Sequence, residues 1–423
     1  MKRITVIGLG YVGLPLAIAI QKSGKYDLVG FDLNQEKVDL INNKTSPLED
    51  ELVKTELKRY PIKATTDKSQ LEASDIFIIA VPTPVLDDHA PDYRHIQAAA
   101  TTISEYLKPG ANVILESTVN PGTCEEVILP IIEKETKLEG GRDFNLSHCP
   151  ERINPGDPKW NLYNIPRNIG SLNISKNKEI ANFYRDILNT EINEVSSLKV
   201  AEATKVIENT FRDINIAYVN ELAKSFDAMG IDLIETIQAS SNKPFGFMAH
   251  WPGAGVGGHC IAVDPYYLIK RAEKSNFNHR FLKEAREINN SMPEYTVKRL
   301  AEGLNRIKKP INGTKVGVLG LAYKPEVADL RESPAFEIIE LIKAQGGEVM
   351  KFDPYFEDYS DGSLESVLEY SDAIVLITAH KKFLTLTGKV LQKYGIKVIV
   401  DGRNKLDKQS IISANIIYQG IGR

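Results

Sequence analysis

Cys260 stands in "VGGHCIAVDP", with two glycines and a histidine ahead of it and Asp264 four residues behind. A single thiol so placed is a buried apolar filler, a metal ligand or a nucleophile. Nucleophilic use needs a thiolate, and hence nearby cations or donors. A zinc site needs about four ligands at suitable spacing. His259–Cys260 has no companion pair such as C-x-x-C, so no metal is expected. Cys124, after a Pro-Gly turn, and Cys149, in "SHCPER", are rival nucleophiles. Upstream, Lys205 and Asn209 are four apart, which puts them on one face of a helix. A lysine and an amide there would polarise a water or stabilise an oxyanion. The plainer alternative is a solvated helix surface.

A second kind of chemistry is written near the start. Gly8, Gly10 and Gly13 form G-x-G-x-x-G after the apolar run "RITVIGL" and before a helical pattern. The first glycine allows a tight turn, the second admits a pyrophosphate, and the third lets helix pack on strand. Asp32 closes the next apolar run, 19 residues after Gly13. A carboxylate there accepts from a ribose 2′-hydroxyl and repels a 2′-phosphate, which favours NAD over NADP.

The pattern recurs near the other end. "ITVIGLGYVGLP" aligns with "VGVLGLAYKPEV", and "DLVGFDLN" with "EVMKFDPY". In the repeat Gly10 becomes Ala322 and Gly13 becomes Pro325, which impairs close approach to a pyrophosphate. Lys324 brings a point charge instead, and Arg331 and Arg403 also follow strand-like runs. Ligands of open α/β sheets sit at the carboxyl ends of strands. A second anionic ligand held by side-chain charge, such as a nucleotide sugar, is therefore expected; solvated surface cations on a degenerate duplicate are the bland reading.

The elements that must position these residues are α/β at both ends. "DLVGFD", "DIFIIAVP" and "NVILEST" join "RITVIGL" as buried strands, and "TKVGVLGLAYKP", "GEVMKFDPY", "SDAIVLITAH" and "IKVIVDGRN" do so near the C-terminus. Between them, Val200, Ala203, Ile207, Phe211, Ile214, Ala217 and Leu222 recur at helical spacing up to Gly230. A helix of about 33 residues, near 50 Å long, exceeds one small domain. The expectation is two doubly wound Rossmann-like domains, 1–195 and 301–423, joined by a helical domain, 196–300, with a long helix. The 423 residues suit two or three domains. A net charge of −4 gives no basic footprint for nucleic acid. No apolar run reaches membrane-span length, and the apolar N-terminus is broken by glycines, so neither a membrane segment nor a signal peptide is expected. Three cysteines build no disulfide framework, and a reducing cytoplasm is the expected home.

With these motifs in view, the chain resembles the UDP-glucose/GDP-mannose dehydrogenase family. The resemblance rests on "VIGLGYVGLP", "VPTP", "ESTVNPGT", "CPERINPGD", "VIENTFRDINIAYVNELA", "VGGHCIAVDPYYL" and "LGLAYKPEVADLRESP", in the family's order. "CPERINPGD" and "NKPFGFM" resemble the UDP-N-acetylhexosamine 6-dehydrogenase branch, the UDP-N-acetylglucosamine and -galactosamine enzymes of bacterial surface polysaccharide synthesis. UDP-N-acetylmannosamine and UDP-glucose are the alternative substrates.

The resemblance implies a four-electron oxidation at the sugar C6, two NAD per sugar, and a homodimer built by the long helix. It implies Cys260 as nucleophile, Lys205 and Asn209 as oxyanion stabilisers, and Asp264 orienting water or the lysine. Thr118 would position a water and Glu151 would be the acid/base of thioester hydrolysis. The cofactor would meet Gly8, Gly10, Tyr11, Val12, Gly13, Asp32, Lys37, Pro82, Thr83 and Thr118. The substrate would meet Glu151, Arg152, Lys205, Asn209, Phe247, Gly257, Gly258, Lys324, Arg331 and Arg403. Two departures stand out. Pro155 takes the place of a second acid, and "SSNKPFGFMAHW" offers Lys243, His250 and Trp251 where UDP-glucose enzymes carry an arginine. A non-catalytic nucleotide-sugar sensor would need this constellation broken, and a two-electron dehydrogenase or epimerase would leave Cys260 merely packed.

Overall fold

The computed structural model describes residues 1–86, 88–153 and 159–423, without the side chains of His259 and Cys260. Two compact units form: Met1–Glu208 with Tyr266–Phe277, and Asn209–Pro265 with Asn278–Arg423.

The first unit is built on an eight-stranded sheet. Its strands are β1 (Arg3–Ile7), β2 (Asp27–Phe31), β3 (Ala64–Thr65), β4 (Ile76–Ile79), β5 (Asn112–Leu115), β6 (Asn145–His148), β7 (Arg167–Ser171) and β8 (Ile192–Glu194). The order is β3-β2-β1-β4-β5-β6-β7-β8, parallel except where β6 meets β7. The four predicted strands are here as β1, β2, β4 and β5. Parallel strands covered on both faces read as continuous apolar runs, and "IFII" of β4 is buried throughout. Strands β6 and β7, "NLSH" and "RNIGS", carry no such signal. They are buried by neighbours rather than by their own hydrophobicity. The helix Gly13–Ser23 packs Leu14, Ala17 and Ile18 on Ile4 and Val6 of β1. Leu and Ile side chains of this kind each contribute about 1.5–3 kcal/mol on full burial.

The second unit holds a five-stranded parallel sheet: β9 (Lys315–Leu319), β10 (Glu348–Phe352), β11 (Ala373–Leu376), β12 (Val398–Asp401) and β13 (Ile417–Gly420). Its order is β10-β9-β11-β12-β13. Both sheets reverse direction of growth beside their first strand, between β1 and β4 and between β9 and β11. Such a switch point opens the crevice where open α/β sheets take ligands.

The long helix forms as expected, Leu198–Met229, 32 residues, stopped by Gly230 at φ +69°. Its apolar residues at helical spacing do not all face inward. Val200, Ile207 and Phe211 are exposed, and Ile207 is 57% exposed. Polar residues take the buried face instead: Glu202, Lys205, Asn209, Asp213 and Asn220 are each buried. A helix that turns charge inward and hydrophobes outward has not been shaped by its own core alone.

Candidate active site

The loop after β1 is shaped for a phosphate. Gly8 has φ +91°, and a Cβ there would lie 2.7 Å from the Ala80 carbonyl oxygen. At Gly13 a Cβ would fall 1.8 Å from the Gly8 oxygen, so only hydrogen fits. Gly10 faces open space, with nothing within 4 Å of a would-be Cβ. Tyr11 is exposed and Val12 sits at the start of the helix. Asp32, 9% exposed, accepts from Leu9 N at 2.8 Å and Asn34 N at 3.0 Å. Lys37 Nζ also donates to it, at 2.8 Å. Burial alone would raise the Asp32 carboxyl, but the Lys37 ammonium and these N–H donors outweigh it and hold it below the usual range. An ionised acceptor beyond an open glycine loop fits an adenosine ribose and its pyrophosphate.

Thr83 and Thr118 come together at the carboxyl ends of β4 and β5. Thr83 Oγ1 donates to Thr118 O at 2.7 Å, and the Tyr267 hydroxyl donates to Thr83 O. Pro82 beside them is exposed.

Glu151 lies in a buried cluster that motif reading did not anticipate. Its Oε1 accepts from Arg152 N at 2.6 Å and Ile153 N at 2.7 Å. Its Oε2 pairs with Arg167, whose other terminal nitrogen holds Glu116 at 2.7 Å. Arg167 and Glu116 are each 1% exposed, and the Tyr184 hydroxyl donates to Glu116. One guanidinium thus serves two carboxylates, and among the described residues every partner of Glu151 is a donor. Arg167 reads as an ordinary strand residue in "IPRNIG" and gave no signal. Pro155, in the place of a second acid, lies outside the described residues. Arg152 is engaged elsewhere: it forks onto Glu208 at 2.6 and 3.0 Å and reaches Pro166 O.

The rival thiols are disposed of by burial. Cys124 and Cys149 are both 0% exposed. Burial, with Glu202 beside it, pushes the Cys124 thiol well up, and burial pushes Cys149 up to about 12. Neither is a thiolate at neutral pH. Adjacent His148 is held neutral, pushed down to about 3 by burial.

On the long helix, Lys205 is 7% exposed and makes no hydrogen bond or ion pair among the described residues. A solvated surface is therefore excluded. One turn earlier, Glu202 accepts from Gly122 N at 2.5 Å and Cys124 N at 2.8 Å. Burial raises its carboxyl to about 7.

In the second unit Asn209 is 5% exposed and donates from Nδ2 to Asp264 Oδ2 at 2.5 Å. Asp264 is 1% exposed. Cys260 lies in the first turn of the helix His259–Lys274, and its side chain is outside the described residues. A Cβ on Gly257 would meet Glu332 O at 2.5 Å, and one on Gly258, at φ +86°, would meet the Tyr323 ring at 2.5 Å. Both glycines therefore lie against the 321–333 loop.

Arg403 donates from Nε to Ile377 O at 2.8 Å and leaves its terminal nitrogens without a partner among the described residues. Burial lowers its guanidinium to about 10. Arg331 carries its own counter-ion, forking onto Asp329 at 2.6 and 3.0 Å. Lys324 is half-buried, and Phe247 is 39% exposed.

Comparison with known proteins agrees over the whole chain. Three profiles of the UDP-glucose/GDP-mannose dehydrogenase family match: its NAD binding domain at residues 2–188, its central domain at 199–291 and its UDP binding domain at 317–408. A UDP-N-acetyl-D-glucosamine 6-dehydrogenase of Pseudomonas aeruginosa is 35% identical over 93% of this chain and 94% of its own. An NDP-N-acetyl-D-galactosaminuronic acid dehydrogenase of Ralstonia solanacearum is 35% identical over 95% of this chain and 96% of its own. A solved UDP-D-ManNAc dehydrogenase from Pyrococcus horikoshii superposes with a TM-score of 0.93 at 36% identity, covering 100% of this chain and 99% of that one. No helix among the described residues is long and apolar enough to cross a membrane. The chain belongs to the UDP-glucose/GDP-mannose dehydrogenase family, and within it is a nucleotide-sugar dehydrogenase of the N-acetylhexosamine type with an NAD-binding domain.

Proposed function

We propose that the chain oxidises the C6 hydroxymethyl of a UDP-N-acetylhexosamine to the carboxylate, with Cys260 as nucleophile. The observation that carries this reading is Lys205: a buried ammonium without a partner among the described residues, one turn before an Asn209 already oriented by Asp264. Such a charge is placed for an oxyanion. NAD, bound at the Gly8 loop, supplies the hydride acceptor for each two-electron step. The first oxidation gives the C6 aldehyde. Cys260 Sγ adds to it to form a thiohemiacetal, and the second oxidation leaves a thioester. Water attacks that carbonyl, and carboxylate and thiol part. Covalent capture divides one hard oxidation into two easier ones. Lys205 and Asn209 stabilise the oxyanion before and after. Glu151, with three donors on it, takes a proton from the attacking water, and Thr118 helps hold that water.

The diphosphate is bound by Arg403 and Lys324. The chain acts as a homodimer through the helical region 196–300, and the exposed Ile207, Phe211 and Tyr218 supply the apolar face. The product is a sugar acid for surface polysaccharide. UDP-N-acetylglucosamine and -galactosamine are the first-choice substrates from the motifs. UDP-N-acetylmannosamine is a second reading, favoured by the 36% identity to the UDP-D-ManNAc dehydrogenase.

The test is NADH formed per sugar consumed, with all three epimers, for wild type and Cys260→Ser. About two NADH per sugar, and a second oxidation slowed at least about a hundredfold in the variant, are the expected outcomes. One NADH per sugar, or a variant as fast as wild type, returns Cys260 to a packing role.

A further inference from the structure

The segment 253–258 leads directly into the first turn that holds Cys260, and it is fastened along its length to the second nucleotide fold. Ala254 N donates to Gly402 O at 3.0 Å, and Gly258 N donates to Arg331 O at 3.0 Å. From the helical side, Asn220 Oδ1 accepts from Gly253 N at 3.0 Å. Its closest contacts are with the residues beside the proposed phosphate cations. A Cβ on Gly253 would sit 2.5 Å from Arg403 Nη1. Tyr323, the neighbour of Lys324, lies against both Gly257 and Gly258: a Cβ on the first would be 2.8 Å from Tyr323 Cβ, and on the second 2.5–2.9 Å from three ring atoms. The loop 321–333 is itself stiff, with Tyr323 N on Asp329 O at 3.0 Å and positive φ at Glu326 and Glu332. A side chain in such van der Waals contact cannot shift without moving what it touches.

We propose that Tyr323 is a positioning residue for Cys260: the ring seats the 257–258 turn, so that a diphosphate bound at Lys324 and Arg403 sets the start of the helix that carries the nucleophile. This rests on the reading that the nucleotide is bound by those two cations. The aromatic ring is the coupling element, and the glycines are the surface it presses on. Gly258 at φ +86° is the hinge of the turn. Binding at the nucleotide end and reactivity at the thiol end are then two readouts of one element.

The experiment alkylates the full-length protein with iodoacetamide, with and without saturating UDP, and follows the Cys260 peptide by mass spectrometry. Cys124 and Cys149, both fully buried, are internal controls. UDP is expected to change the Cys260 rate at least about threefold in wild type and Tyr323→Phe, and less than about 1.5-fold in Tyr323→Ala. UDP affinity by calorimetry is expected to stay within about threefold in every variant. Tyr323→Leu, which keeps apolar volume without the ring, serves if the alanine variant does not fold. Three results overturn the proposal: no UDP response in wild type, an equal response in the Ala or Leu variant, or loss of UDP binding in those variants, which would make Tyr323 a binding residue only. The readout needs no turnover, so failure of the substrate reading and failure of this one are told apart.

Discussion

The loops after β1 and after β9 begin alike and end differently. Gly8 and Gly320 share a conformation, φ +91° and +89°, and each donates its N–H to the end of the neighbouring strand, to Phe31 O and Phe352 O. Each is followed by a residue whose N–H reaches an aspartate, Leu9 to Asp32 and Leu321 to Asp353. There the likeness stops. Asp32 keeps a 9% exposed carboxylate beside an open glycine loop. Asp353 is 0% exposed and saturated by Leu321, Ala322 and Tyr355 N–H groups and by His380 Nε2, whose Nδ1 accepts from Glu326 N. The same turn has been turned from a cofactor cradle into a structural knot. At the corresponding positions this loop carries Tyr323, matching Tyr11, and Lys324 in place of Val12. A duplicated fold keeps its geometry where strand pairing demands it and changes where only a ligand did.

The difference can be broken in order of expected effect. Gly13→Ala puts a Cβ 1.8 Å from the Gly8 oxygen. NAD affinity by calorimetry is expected to fall more than about a hundredfold, and folding of the first unit is expected to suffer. Arg403→Met removes a buried cation and keeps its stem. UDP affinity is expected to drop about thirtyfold, that is about 2 kcal/mol, with NAD affinity unchanged; equal loss of both would refute separate sites.

Asp353→Asn and Asp32→Asn compare the two carboxylates directly. Burial raises both carboxyls, but hydrogen bonds from His380 and Lys37 respectively, with backbone N–H groups, bring both below 3.8. A depressed carboxyl gives stability that is present above its unfolded value and lost as pH falls through the folded one. Asp353→Asn is expected to cost about 2–3 kcal/mol at pH 7 in denaturant melts, a penalty that shrinks as pH falls below 3.8. Asp32→Asn is expected to cost less stability and more NAD affinity. Gly10→Ala meets nothing within 4 Å, so melting is expected not to move, while NAD affinity falls about tenfold. Ala322→Gly with Pro325→Gly restores the glycine spelling of the second loop. No NAD binding is expected there, because Asp353 has no acceptor left to offer a ribose; measurable binding would refute the saturation argument.

Much of this was legible in residues alone. Four strands of each sheet, the glycine loop with Asp32, the long helix to Gly230 and the Lys205–Asn209 pair follow from period, spacing and residue type. Those signals are local, and local rules read them. Glu151 is singled out by resemblance, but Arg167, which holds it, and Glu116, which shares that guanidinium, are 16 and 35 residues away in a buried cluster no spacing encodes. Which face of the long helix is buried lies beyond spacing for the same kind of reason. Periodicity finds apolar stripes, and this helix buries Glu202, Asn209 and Asp213 while exposing Ile207 and Phe211. The glycines before Cys260 were correctly read as sites of close approach; which surface approaches them was not in the string.

By itself, then, the sequence determined the elements: which runs are strands, where phosphate-type turns lie, which thiol stands in a glycine-rich setting and which charges share a helix face. Tertiary structure alone decided the partners. Burial ruled out Cys124 and Cys149, left the Lys205 ammonium without a partner among the described residues, divided one guanidinium between Glu116 and Glu151, and set Tyr323 on the turn before Cys260. Desolvation and pairing act through distance in space, and chain spacing carries that distance only within an element.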